Sequence, residues 1–236
     1  MKTPLVLVAT LFAAGTLLPA AETAPKDVVL SAAKKLGEKA NYSWRTTVTV
    51  PEGSRFRPGP TEGKTEKEGV THLTLTLGEN TFQAVLKGDK GAVTSPEGGW
   101  QSLSELENSE GGGRFWARML RGFKVPAAQA AELAAETRDL KQDGDAYAGT
   151  LSEEGAKALL TFRSRGDGEG PTVKDAKGSV KFWVKDGLLA RYEFKVSGKV
   201  TMNDNEREVD RTTNVEIKDV GSTKVAVPEE AKSKLN

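Results

Sequence analysis

Val180 to Val196 reads VKFWVKDGLLARYEFKV. Val180, Phe182 and Val184 alternate with Lys181, Trp183 and Lys185. Asp186-Gly187 interrupts, and alternation resumes with Leu188, Ala190, Tyr192, Phe194 and Val196 against Arg191, Glu193, Lys195 and Ser197. A period of two separates these sets onto opposite faces of a strand, and Asp-Gly favours the tight turn of a hairpin. One face is apolar and the other charged, so the hairpin belongs to a sheet that buries one side and wets the other.

The same pattern extends outward. Downstream, Arg207–Asp219 reads as another strand with Val215 and Ile217 inward. Upstream, Tyr42, Trp44, Thr46, Val48 and Val50 share a face, and Leu73, Leu75 and Leu77 alternate with His72, Thr74 and Thr76. Gly78-Glu79-Asn80 turns into Thr81–Lys87, and Asp89-Lys90-Gly91 into Ala92–Ser95, an antiparallel meander. Tyr147–Leu151 is a further short strand. The sum is roughly seven to ten strands.

Helical spacing appears between these runs. In residues 26–40, Val29, Ala32, Ala33, Leu36 and Ala40 form one apolar stripe. Arg114–Phe123 and Ala127–Glu136, the latter opened by Pro126, are short helices, and Ser152-Glu153-Glu154 opens a turn to Leu160. Pro51–Gly69, rich in Pro, Gly and charge, reads as a long mobile loop; Arg163–Lys177 reads as another loop. Pro228–Leu235 is a polar helical turn or tail. This order of elements predicts an α+β fold with one large curved antiparallel sheet and a few short helices covering its concave face. No repeat or linker divides residues 22–236.

Composition narrows the function. With 34 Lys and Arg against 33 Asp and Glu, the net charge is +1, which gives nucleic acid no basic footprint. The absence of Cys removes disulfides and thiolate chemistry, and one His leaves no multi-His metal centre. Residues 1–21 read as a secretory signal peptide: Lys2, an uncharged run from Leu5 to Leu18, then Pro19-Ala20-Ala21. The run is shorter than the roughly 20 residues of a membrane-spanning helix. A monomeric protein, soluble and periplasmic or secreted, is expected.

No catalytic constellation emerges. His72 lies among Thr residues on a strand's polar face, and no Gly-x-Ser-x-Gly elbow occurs. Gly166-Asp167-Gly168-Glu169-Gly170 has no strand leading into it and is a turn, and Asp143-Gly144-Asp145 is too short for a calcium loop. No cofactor or metal is implied, and an enzyme is not expected. A hydrolase working through His72 is the least favoured reading.

The candidate ligand-binding residues are apolar. Trp44, Val48, Leu75, Phe82, Tyr192 and Phe194 face the sheet's inner side, lining a cavity if there is one and forming core if not. Phe115, Trp116, Met119, Leu120 and Phe123 form either an ordinary buried helix or a lid beside three consecutive glycines. Arg114, Arg118 and Arg121 share one side of that helix, a solvated face or a contact for a phosphate headgroup. Trp100 reads as a loop anchor. Trp183 points away from Phe182 and covers an outer helix or an interface.

The order of elements resembles the LolA/LolB/LppX superfamily of bacterial envelope lipoprotein and lipid carriers. The matching stretches are the opening helix running into Tyr42-Ser43-Trp44-Arg45-Thr46-Thr47-Val48, the meander closing on Ser95-Pro96-Glu97-Gly98-Gly99-Trp100, the hairpin Phe182–Leu189, and the tail from Val220 to Pro228. The resemblance implies an unclosed β-barrel lidded by helices. It also implies an exported protein carrying a hydrophobic small molecule, lipid or lipoprotein acyl chains, with an envelope lipoprotein or membrane partner. Two features depart from it. The Gly78-Glu79-Asn80 turn lacks the carrier's functional Arg-Pro pair, and the chain lacks the Cys of the lipid-anchored relatives. A non-enzymatic interaction or sensor domain of the same fold is the alternative.

Overall fold

The computed structural model describes residues 23–54, 57–95, 98–109, 112–161, 171–202 and 205–235. The expected export segment and the Gly166–Gly170 turn lie outside them.

The chain opens with α1 (Pro25–Gly37), which has Pro at its start, Asp27 in its first turn and Lys34 and Lys35 in its last. Proline's preset φ suits the first turn, and these charges oppose the helix dipole. Six strands follow: β1 (Asn41–Thr49), β2 (Pro58–Glu66), β3 (Val70–Leu77), β4 (Asn80–Lys87), β5 (Lys90–Thr94) and β6 (Trp100–Ser102). Three helices come next, α2 (Leu103–Glu107), α3 (Gly113–Arg121) and α4 (Pro126–Ala135). The strands β7 (Thr137–Asp143) and β8 (Ala146–Leu151) lead through α5 (Glu153–Leu160) to three long strands, β9 (Thr172–Lys185), β10 (Leu188–Met202) and β11 (Asn205–Lys218), before the terminal α6 (Glu229–Lys234).

All eleven strands join one sheet in the order β6-β5-β4-β3-β2-β1-β11-β10-β9-β8-β7. The two meanders meet where β1 pairs antiparallel with β11, Trp44 opposite Ile217 and Val48 opposite Thr213. The edge strands β6 and β7 do not pair with each other, so the sheet is an open barrel. Helices α1 and α4 pack together across it, against β10 and β7. Both bury small alanines (Ala32 and Ala33 on α1, Ala130 and Ala134 on α4), which lets helices approach closely. Val29 and Leu36 drop from α1 into the core with Phe182, Leu189 and Tyr192. On the convex side, Val70, Val85 and Ala92 are covered by Ala231 of α6 with Val225, Val227 and Leu235.

The Val180–Val196 hairpin forms with Asp186 at φ 52° and Gly187 at φ 71°. These left-handed values match the turn whose twist suits paired strands. One detail differs from strict alternation. The β9–β10 register shifts between Leu189 and Arg191, so Ala190 is a bulge. Leu189 is therefore buried, while Leu188 and Ala190, expected inward, are half-buried.

Three segments correct the sequence reading. Residues 58–66 of the expected mobile loop form β2; its inward positions are Thr61, Gly63 and Thr65, which carry no large apolar signal. Buried Thr65 is satisfied by the Thr71 hydroxyl at 2.9 Å and the Val70 carbonyl at 3.2 Å. Second, β7 is an edge strand of mostly charged and polar residues with a register break between Arg138 and Lys141, where Asp139 takes a φ of 50°. Such irregular, charged edges resist pairing with other chains. Third, β9 begins at Thr172, inside the expected second loop, and Trp100 starts β6 instead of anchoring a loop.

Candidate functional site

The concave face changes character along its strands. On β1, Tyr42 and Trp44 are buried, and Thr46 and Val48 are half-buried. On β3, Leu73 is buried and Leu75 half-buried; on β4, Ala84 is buried and Phe82 half-buried. On β11, Val215 and Thr213 are buried, and Arg211 and Val209 half-buried. On β1, β3 and β4 burial falls in one direction, away from α1 and α4; on β10 Tyr192, Phe194, Val196 and Gly198 are all buried, with α5 packed over the far end, and on β11 Ile217 is half-buried. The covered end is solid core. Tyr192 is fully buried, flanked by Phe182 at 6.3 Å and stacked with Phe194 at 6.4 Å between ring centroids. Its hydroxyl donates to Gln129 Oε1 at 2.6 Å.

Helix α3 overhangs the open end. Ala117 and Leu120 are buried, and Trp116 and Met119 pack against the core from partly exposed positions. Trp116 meets Phe82 at 5.1 Å, and Phe123, just past the helix, stacks on Trp44 at 6.2 Å. Phe115 points outward and is 53% exposed. The helix is a weak one by itself: nine residues, no side-chain cap at its start, and Arg114 instead of an acid in its first turn. Tertiary contacts hold it. Arg121 grips the Glu107 carboxylate at 2.6 and 2.9 Å and the Asp89 carbonyl at 3.1 Å, and Arg114 Nε donates to the Glu107 carbonyl. Gly113 lies close on α2, where a Cβ would come within 3.0 Å of the Leu106 carbonyl and would displace the Ser109 hydroxyl. Two of the three arginines of the expected solvated row therefore latch α3 to its neighbours.

Of the ten sequence-derived residues, the structure brings Val48, Leu75, Phe82, Trp116 and Met119 together half-buried in this half of the concave face, with Trp44 and Leu120 buried beside them. Tyr192 and Phe194 belong to the solid core, and Phe115 to the outer surface. The best-defined hollows among the described residues lie elsewhere. One of about 380 Å³ is rimmed by Lys35, Glu38, Lys39, Asp186 and Leu188, and one of about 220 Å³ by Lys177, Gly178, Ser179, Lys195 and Ser197. Neither hollow lies on the concave face, where Trp116 on Phe82 and Phe123 on Trp44 occupy the space beneath α3.

Sequence reasoning missed Arg211. Extending the inward parity of Val215 and Ile217 two steps along β11 would have placed it on the concave face. His72 shares only a 3.2 Å contact with Gln83 Oε1 on the convex side. Trp183 donates to Asp145 at 3.3 Å and lies under the Arg191 guanidinium, 4.4 Å from the ring centroid, so it is covered by side chains and not by a helix. Among the described residues no cluster of three His, Asp or Glu could hold a metal ion, and no helix is long and apolar enough to cross a membrane.

No protein-family model and no curated protein matches the chain. Among solved structures it is similar to the lipoprotein LppX of Mycobacterium tuberculosis (12% identity, TM-score 0.47, covering 86% of this chain and 97% of that one). It is also similar to LprF of Mycobacterium bovis (11% identity, TM-score 0.47, 88% and 97%) and to a DUF1329 family protein of Desulfovibrio piger (9% identity, TM-score 0.34, 90% and 98%). LppX, whose superfamily the sequence resembles, is thus among the chain's structural neighbours.

Proposed function

We propose that this is an exported, non-enzymatic binding protein that holds the acyl part of a lipid in the half-open trough beneath α3. The observation that supports this reading is the fall in burial along β1, β3 and β4. Val48, Leu75 and Phe82 are inward-facing apolar residues that the helices leave incompletely covered, and a weakly started, side-chain-latched helix lies over them. Each methylene moved from water into such a groove contributes about 0.8 kcal/mol. Some eight to ten of them would supply roughly 6–8 kcal/mol before the costs of association. Binding requires α3 to shift outward, exchanging its Trp116–Phe82 contact for contacts with the ligand. Delipidated protein mixed with a bacterial envelope lipid extract and then repurified should carry lipid detectable by mass spectrometry. Recovery of lipid-free protein would overturn the reading.

One observation favours a second reading, an envelope interaction or sensor domain. The end of the face beneath α1 and α4 is packed solid around Tyr192, which shortens the space available to a ligand. Under that reading α3 stays closed and the protein retains no lipid from the same extract.

A further inference from the structure

Among the described residues, Arg211 stands on the concave face without the carboxylate partner that three other arginines have. Arg45, Arg121 and Arg191 reach Glu62, Glu107 and Glu193 respectively. Arg211 is in no ion pair among the described residues, although it stands on the inward face of β11 in line with Thr213 and Val215. Across β10 it faces fully buried Val196. Its strand neighbour Asp210 lies on the other face and pairs with Lys195 at 3.3 Å. The acceptor Arg211 does have is the backbone carbonyl of Leu159, in the last turn of α5. A guanidinium offers five N–H donors, and none of the remaining ones is sealed from solvent without a partner. Burial pulls the guanidinium below its ordinary pKa, and among the described residues no carboxylate offsets it. A part-desolvated cation is costly unless a counter-ion meets it, none does among the described residues, and a planar fork of donors matches carboxylate and phosphate oxygens.

The register places this group at the end of the groove. Val48 pairs with Thr213 and Thr213 with Phe194, so Arg211 lies one inward step beyond the half-buried apolar row. From β11 across β1, β2 and β3 to Phe82 on β4 is four strand spacings, roughly 19 Å along the sheet. That is the scale of a long acyl chain.

Resting on the lipid-binding reading above, we propose that Arg211 anchors the anionic head of a single-chain acyl amphiphile, a carboxylate or a phosphate monoester. The tail then runs across Val48 and Leu75 to Phe82 beneath α3. The test is displacement of a fluorescent polyene fatty acid from the full chain by palmitate, hexadecyl phosphate or hexadecanol, each below its micellar concentration. The wild-type protein should prefer the two anionic ligands over the alcohol by at least tenfold. Arg211→Met should reduce palmitate to the affinity of hexadecanol while leaving hexadecanol itself unchanged, which also shows that the variant is folded. Arg211→Lys should keep part of the preference. Equal affinity of the wild type for acid and alcohol, or an undiminished preference in Arg211→Met, overturns the anchor and leaves the lipid-binding reading standing. Displacement by acetate or inorganic phosphate at the concentrations effective for palmitate overturns it too, in favour of a small-anion site. Failure of all three long-chain ligands and the polyene probe to bind removes the lipid-binding reading and the anchor together.

Discussion

The indole of Trp44 lies directly over the backbone of Gly63, its register partner on β2. A Cβ at position 63 would sit 2.0 Å from Trp44 Cζ2. The glycine is therefore the space that the ring occupies. Gly63→Ala should destabilise the fold by about 1–3 kcal/mol through overpacking, read as a lower urea midpoint. In Trp44→Leu the same second substitution should cost much less, and a double-mutant cycle gives the coupling. Additivity of the two changes would show that the ring has room to move.

That relationship also explains what the sequence hides. The 180–196 hairpin is legible because each of its strands puts large apolar side chains inward. β2 is not, because Trp44 fills the volume that its own side chains would otherwise take, leaving Gly63 and Thr65 as the inward residues. β7 pairs on one side only, so its sequence stays charged and shows no alternation. The trough residues Trp44, Val48, Leu75 and Phe82 follow from strand parity alone. Which of them are packed and which half-open depends on where α1 and α4 end, a tertiary fact that no local pattern carries. Arg211 obeys the parity of β11, but an Arg on an apolar face draws the eye away from it.

The latch on α3 governs access. Glu107→Gln removes the carboxylate that Arg121 grips while keeping the shape of the side chain. The pair is part-exposed, so the stability cost should stay below about 1 kcal/mol. Stopped-flow measurement should show the polyene fatty acid entering several-fold faster than in the wild type. An unchanged rate would mean that the ligand enters without moving α3.

Two buried tyrosines predict an alkaline limit. Burial pushes the Tyr42 phenol up to about 12, against a weaker opposing hydrogen bond from the Ala127 N–H, and burial raises Tyr192 well above its ordinary value. The unfolded chain releases these protons near pH 10 while the folded chain keeps them. Stability from both groups is thus complete below pH 10 and falls between about 10 and 12. Urea midpoints across that window should show the fall, and Tyr42→Phe should make it shallower. A flat profile would place both phenols in contact with water.

At the other extreme, Glu105 is held down to about 2, first by Lys234 and then by Ser102, whose backbone N–H and hydroxyl complete the cap of α2. This contribution is present above the ordinary carboxylate range and is lost as pH falls through about 2. Glu105→Gln should loosen α6 at neutral pH, seen as faster amide exchange around Ala231. Unchanged exchange there would show that the convex-face packing holds α6 without the ion pair.

The trough is tested most directly by contact quenching of tryptophan. Trp44 and Trp116 border it, whereas Trp100 and Trp183 lie away from it. Titration with a dibrominated long-chain fatty acid should quench the intrinsic fluorescence, and Trp116→Phe should remove most of the quenchable fraction while Trp183→Phe removes none. Quenching that persists undiminished in Trp116→Phe, or that never develops in the wild type, would contradict an acyl chain lying beneath α3.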